Sequence, residues 1–482
     1  MKNILKTMLC GAAVVLLLTV PAMAEKITEP LDFTSENPLT HASFTWDDAA
    51  RVLTLHNGFE IEVTDPDLED DESVNAIMVP DGTTVVLEGS AKITTDCYGI
   101  MSAGDLTVVG SDSDNKLEID ATSGLYTYAS EITIHNCNIV IKAEVGIKNG
   151  YGEEKEGDIT VTDSTLDIQV GVLEDYATSG ADGLSCGGML TIDNSDIAIL
   201  SANRGIFGGE LWITDSKLYI TSMKTAVWAD ALSGSSAIID STLNITSKYS
   251  ACFTGNGIYS IQGSTLDLTA GTAGIICDYD TSSVSIDNCR LKSVCGTPCF
   301  KIKDLAITNS SLDITSQNGC LFLSKGKISI DEKFVLYGKN GRRVSFPIKY
   351  SDELFDYVVK TYSTSTGYQG IYHIWYYNGI PVNRLVTAAD TTVYIESVFR
   401  SLRDITFSGE GTETLPDLCR ALGSTVNLKN ITPAARKGYA FTGWYTDAAC
   451  TEAVTKIVVI GDMELYAGWE EIPAEEEAAS EM

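Results

Sequence analysis

The chain has 482 residues, 66 of them acidic and 33 basic, for a formal net charge of −33. Such an excess of negative charge argues against nucleic acid and anionic membrane surfaces as partners and suits a solvated protein. Apolar residues make up 44% of a chain long enough for several domains, so sizeable cores can form.

The first 24 residues read as a secretory signal. Lys2 and Lys6 form a basic start, Ala12 to Val20 an apolar core, and Ala22-Met23-Ala24 a small-x-small cleavage site. That apolar run is too short to span a membrane, and no second run of spanning length follows. Cys10 lacks a lipobox context, and no LPxTG-like sorting motif is present. The expectation is a secreted protein, extracellular or loosely associated with a cell surface, with no transmembrane segment once the signal is cleaved.

Residues 25–80 read as an N-terminal cap. Phe44-Thr45-Trp46 and Val52-Leu53-Thr54-Leu55 flank a polar turn and predict a hairpin, and Phe59 to Val63 predicts another strand. The acid run from Asp65 to Glu72 would need Gly at its sixth position to be an EF-hand loop. It has Asp70 there, so a solvated loop is expected.

Between Ile132 and Ile314 a ten-residue phrase recurs eight times, roughly [I/L]-T-I-x-[N/D]-[S/C]-x-[I/L]-x-I. Its copies start at Ile132, Ile159, Leu190, Leu211, Ser236, Tyr259, Val284 and Leu305, spaced 21 to 31 residues apart. A repeat of this length is one coil, too small to bury a core alone and stabilised by stacking. The phrase alternates as a strand does. Its third, eighth and tenth positions are almost uniformly aliphatic and predict an inward face. Its fifth holds Asn136, Asp163, Asn194, Asp215, Asp240, Gly263, Asn288 and Asn309, residues that tolerate left-handed backbone and predict a corner. A third short segment follows in each coil, usually Gly or Ala before an aliphatic: Gly146-Ile147, Gly183-Leu184, Gly205-Ile206, Ala226-Val227, Ala251-Cys252 and Gly274-Ile275. Three strands per coil are therefore expected. These features resemble the right-handed parallel β-helix family, over roughly residues 81–330. Val85–Thr94 and Leu106–Ile119 read as degenerate first coils. Ten or so coils at ~4.8 Å per strand would make a rod about 5 nm long.

Twelve cysteines include Cys137 and Cys289 in the sixth position of the phrase and Cys186 and Cys277 in an inward column. No spacing fits a zinc site. Most read as small buried apolar residues, with Cys295/Cys299 and Cys419/Cys450 as the pairs to test for disulfides.

Residues 331–403 lose the repeat and turn aromatic, as a far-end cap or connector. From Asp404 to Glu470 come Gly438-Tyr-Ala-Phe441-Thr-Gly-Trp444-Tyr-Thr-Asp447 and Asp462-Met-Glu-Leu465-Tyr-Ala-Gly-Trp469. These phrases resemble the Listeria–Bacteroides repeat, the B-repeat module of internalin-like surface proteins. The resemblance implies a small β-grasp-like fold, display on a secreted or wall-attached bacterial protein, and an adhesion-type role. The chain departs from the pattern with Ser408-Gly-Glu410 where Asn-Gly-Gly is usual. Trp444, Tyr445, Tyr466 and Trp469 are the expected aromatic core. The acidic tail 471–482 reads as disordered. The whole is an all-β chain.

Enzymes built on β-helices place carboxylates, basic residues or calcium ligands on adjacent coils. Here the repeats hold no Asp-Asp pair and no GHG; the closest match to R-x-K is Lys301-Ile302-Lys303. Outward carboxylates Asp167, Asp193 and Asp267 are scattered, and His135 is the only histidine of the repeat region. The chain is therefore read as not an enzyme. The column after the third segment runs Lys148, Ser185, Phe207, Trp228, Phe253, Ile276, Lys301. Its three successive aromatics, Phe207, Trp228 and Phe253, predict an outward stripe that stacks on sugar or grips a partner. Alternatively the stripe stacks for stability alone. Glu174, Asp175 and Asp182, on one of two long loops, are the weak candidates for calcium; no cofactor is otherwise expected. The loops Gly150–Asp158 and Gln169–Asp182 leave at different corners, so they need not share a site.

The leading expectation is a non-catalytic adhesin-type protein binding glycan, or a host or bacterial surface protein, along one face of the helix. The alternatives are a polysaccharide lyase or glycoside hydrolase on the same scaffold, and a purely structural spacer.

Overall fold

The computed structural model describes residues 26–35, 40–64, 75–150, 157–171, 181–296, 299–316 and 397–472, and the backbone of strands between 322 and 393. The described chain is all-β, with a parallel solenoid of about nine turns over residues 77–316 and no helix. The signal-like segment and the acid run at 65–72 lie outside the described residues.

The repeat sets the register. Ile132 pairs in parallel with Ile159, Ile159 with Leu190, and Leu190 with Leu211. The same start-to-start pairing continues from Ser236 through Tyr259 and Val284 to Leu305. These strands form one ladder. The second half of each phrase forms another, in which Ile139 aligns with Leu166, Ile197, Leu218, Leu243, Leu266, Leu291 and Leu312. The aliphatic columns point into one continuous core running from Ile27 to Ile314. Between the two ladders all eight fifth-position residues have positive φ, from 45° at Asn194 to 60° at Gly263. Asn and Asp pay little for this backbone, which a β-branched side chain would resist.

Beside that corner runs a chain of hydroxyls. The Ser216 amide donates to Ser241 Oγ at 3.1 Å, Ser195 N–H to Ser216 Oγ at 3.0 Å, and Ser241 N–H to Ser264 Oγ at 3.1 Å. Each hydroxyl in turn donates to the carbonyl two residues back, as Ser241 does to Ile239 at 2.7 Å. Cysteine fills the same role at Cys289, whose sulfur accepts the Ser264 amide at 3.4 Å and donates to the Asp287 carbonyl at 3.1 Å. The column thus supplies acceptors to buried amides that would otherwise lack one. Ser241→Ala is expected to lower unfolding free energy by about 1–3 kcal/mol, the cost of an unsatisfied buried amide. Ser241→Cys should cost clearly less, and urea denaturation of the two variants would check the ordering.

The two ends depart from the repeat. At the start, Phe44–Asp47 pairs antiparallel with Val52–His56, the expected hairpin. Val52–His56 and Phe59–Val63 already pair in parallel with Thr83–Glu88 and Ser90–Thr95, so this stretch adds to both ladders. Phe33, Phe44, Trp46 and Phe59 pack together over the open end. At the far end Ser397–Ser408 lies antiparallel on Ser311–Ser316 and on Phe334–Gly338. In earlier coils the carbonyl of the hydroxyl column accepts the next coil's amide, as Ser264 does from Arg290 at 2.9 Å. At the last one, Ser310, Arg403 Nη2 donates to that carbonyl at 3.1 Å. An arginine thus takes the place of the next coil's amide on this ladder, while the other two ladders run on through Phe322–Ser324 and Ile328–Asp331. Antiparallel cover of this kind blocks edge-to-edge growth. Asp356–Ser363 and Gln369–Tyr377 form a separate antiparallel pair, with Ile380–Pro381 as a short third strand.

Ser397–Ser408 continues into the C-terminal module, where it runs parallel to Met463–Glu471 and antiparallel to Leu418–Ala421. Tyr439–Tyr445 pairs antiparallel with Met463–Glu471. Trp444 is buried and its Nε1 donates to the Ile431 carbonyl at 2.7 Å. Its ring partners are Phe407 and Phe441, and Trp469 packs on Phe441. The expected core is corrected at two positions. Tyr445 and Tyr466 are cross-strand partners on the opposite face, with the Tyr466 hydroxyl donating to Glu464 at 2.6 Å. Alternation along the strand puts them there once Trp444 and Leu465 point inward.

Candidate functional site: an aromatic face on the third ladder

A further ladder joins the short segments: Leu184–Ser185, Ile206–Gly208, the start of Val227–Ile239, the start of Phe253–Gln262, Ile275–Cys277 and Phe300–Ile302. Small residues precede each inward aliphatic because the next coil's carbonyl comes close. A Cβ on Gly146 would lie 2.2 Å from the Gly183 carbonyl oxygen. The residue after the aliphatic points away from the core, although the small Ser185 is itself buried there. Ser185 aligns with Phe207 and Phe207 with Trp228, as the sequence suggested. Both rings are half-buried, edge to face at 67°, with centroids 6.3 Å apart.

The third aromatic is not on this face. Phe253 pairs with Val227 and Ile275 and is buried in the core, and Trp228 is followed outward by Thr254. The pair that matches Gly205-Ile206 in this coil is Cys252-Phe253, one residue later than the sequence reading. Cys252 is the small residue under the neighbouring carbonyl, and that phase turns Phe253 inward. The stripe therefore has two rings.

Arg204 completes the cluster. Its guanidinium carbon sits 3.9 Å from the centre of Phe207 and 5.8 Å from that of Trp228. Asp182 holds it there, accepting from Nε at 3.0 Å and Nη2 at 2.6 Å. The Asp182 side chain is 5% exposed and also accepts from Asn203 Nδ2 at 2.8 Å and the Arg204 amide at 3.3 Å. Three of these donors converge on Oδ1 and one on Oδ2, so the buried carboxylate anchors Arg204. Glu174 and Asp175 lie outside the described residues. No group of three or more His, Cys, Asp or Glu among the described residues is arranged to hold a metal.

The sequence reading missed a second aromatic cluster on the same face. Tyr126 aligns outward with Met101 on one side and Lys148 on the other. Tyr98 packs on it at a tilt of 44° with centroids 4.7 Å apart, and Tyr128 meets it edge-on at 5.1 Å. Tyr128 is 57% exposed. Desolvation pushes the Tyr126 hydroxyl up to about 12. The signal for this cluster was the alternation of Tyr126 and Tyr128 in a coil that looked degenerate. Trp212 and Tyr219 are also exposed, but on the other two ladders.

Both long excursions are anchored at this ladder, Gly150 ending one of its rungs and Leu184 opening the next. The remaining candidates are dispersed. Asp267 is paired with Lys292 at 2.9 Å on the second ladder, and His135 lies near Thr162 and Asp163 on the first. Cys295, Cys299 and Cys450 are free thiols, so the proposed disulfide pairs are not formed. Among the described residues no helix is long and apolar enough to cross a membrane.

Comparison with known proteins finds one family model: residues 404–468 match the Listeria-Bacteroides repeat domain. No curated protein and no solved structure matches the chain.

Proposed function

We propose that this is a secreted or cell-surface protein of adhesin type, non-catalytic, that binds glycan along the outward face of the third ladder. In this reading the first 24 residues direct export. The solenoid is a right-handed helix of three strands per coil, and the C-terminal module is a small β-grasp-like unit that serves display. The carrying observation is the ring pair Phe207 and Trp228, half-exposed and held in place by Arg204 on a rigid sheet. Aromatic rings with a fixed geometry offer flat apolar faces, with little ordering cost on binding. The Arg204 guanidinium sits closer to Phe207 than to Trp228, so Trp228 is the ring with the freer face.

The test is a glycan array probed with residues 25–482, paired with reducing-sugar and unsaturated-product assays on every hit. Binding without turnover that falls at least tenfold in Trp228→Ala is the expected result. Turnover of a bound glycan would replace this reading with the polysaccharide lyase or hydrolase one, and an array with no hits would favour a spacer or a protein partner.

A further inference from the structure

Resting on the glycan-binding reading, we infer that the Tyr98/Tyr126/Tyr128 cluster and the Phe207/Trp228 pair are two subsites for one linear, uncharged polysaccharide chain lying along the solenoid axis. The two clusters share a single outward column. From Tyr126 it passes through Lys148 and Ser185 to Phe207 and then Trp228. Three rungs separate Tyr126 from Phe207, a distance of ~14 Å at ~4.8 Å per rung, and Trp228 lies one rung further. One sugar ring is about as long as one rung is deep, so an extended chain of about four rings spans the clusters. The rungs are in register, so the face repeats along the axis as a polymer does.

Charge selects the polymer. The chain carries a net charge of −33, which repels polyanions. The one arginine of the cluster is neutralised by Asp182 through two hydrogen bonds, so it attracts no carboxylate strongly. Between the clusters the column offers the Lys148 ammonium, which suits sugar hydroxyls, while Ser185 is buried and leaves a low stretch that the chain passes over. Tyr128 stands out from the sheet, and the protonated Tyr126 hydroxyl lies over the backbone of Gly150. Two weak sites on one rigid face gain from each other only when one ligand reaches both, so affinity must depend on chain length in a step.

The probes are cello-, manno- and xylo-oligosaccharides of two to eight rings, with oligogalacturonates of the same lengths as charged controls, measured by calorimetry on the full protein after signal removal. The expected result is weak binding of short fragments and a rise of at least tenfold once the fragment spans both clusters. Tyr128→Ala should abolish the rise and leave the short fragments unaffected; Trp228→Ala should weaken every length. Tyr126→Leu, which keeps the packing and removes the aromatic face, should act as Tyr128→Ala does. A smooth length dependence, or a step that survives both tyrosine variants, overturns the two-subsite inference while the glycan-binding reading stands. Equal or tighter binding of oligogalacturonates overturns the choice of an uncharged chain. No binding of any fragment at any length overturns the inference and leaves the array to decide the broader reading, including a protein partner on this face.

Discussion

Arg204→Ala is expected to lower the unfolding free energy by about 3–5 kcal/mol, the range for removing one partner of a buried ion pair. Asp182 is the reason. Its carboxylate is almost wholly shielded from water, and the guanidinium provides two of its four hydrogen bonds and all of its compensating positive charge. Without Arg204 the carboxylate keeps only the Asn203 amide and one backbone N–H. Arg204→Lys should recover part of the loss, since an ammonium restores charge but neither the forked geometry nor the stacking on Phe207. The double variant Arg204→Met with Asp182→Leu removes both charges and should be closer to the parent than Arg204→Ala is. Urea denaturation of the three variants checks the order. A loss under about 1 kcal/mol for Arg204→Ala would mean that the pair is solvated and behaves as a surface bridge. The same variants report on function, because losing the guanidinium uncovers Phe207 and frees its ring to move.

This pair also marks the limit of what sequence can reveal. Asp182 and Arg204 hold the same place in adjacent coils, directly before the glycine of the third segment, so the repeat stacks them, but nothing in the alignment shows that the carboxylate is shielded from water. The register was legible for a different reason. Four to six alternating residues per strand fix which side faces in, and the Asn/Asp/Gly corner fixes where the strand turns. The third ladder has strands of only two or three residues between its corners, too few for alternation to fix a phase. That is why Phe253 was placed one residue out of step. Two coils show the correct rule: Cys252-Phe253 and Cys299-Phe300 both put a buried cysteine where other coils have glycine or alanine. The requirement is a small residue beneath a close carbonyl, and cysteine satisfies it. The cluster of Tyr98, Tyr126 and Tyr128 escaped because its coils lack the ten-residue phrase, although they stack in the same register.

The buried cysteines make stability sensitive to alkaline pH. Burial raises the thiols of Cys137, Cys186 and Cys277 from an ordinary 9.0 to about 11, and those of Cys252 and Cys289 move the same way. Below pH 9 a thiol is protonated in both the folded and the unfolded chain, and its contribution is fully present. Above pH 9 the unfolded chain releases the proton while the folded one retains it, so the unfolded state gains. The loss continues until the folded thiol itself ionises near pH 11. A displacement of about two units is worth about 3 kcal/mol for each thiol. Cys295 runs the other way, since a hydrogen bond from Cys299 holds its thiol low, and it offsets part of the sum. Urea midpoints followed by circular dichroism at pH 8, 9, 10 and 11 should therefore fall steeply over the upper three values. Cys137→Ser gives the control. Serine occupies the equivalent site in six of the eight coils and takes the same hydrogen bonds, so the fold tolerates it. At pH 8 the variant should match the parent, and by pH 11 it should have lost about 3 kcal/mol less. Parallel curves for the two proteins would show that Cys137 titrates alike in both states, and that water reaches the hydroxyl column.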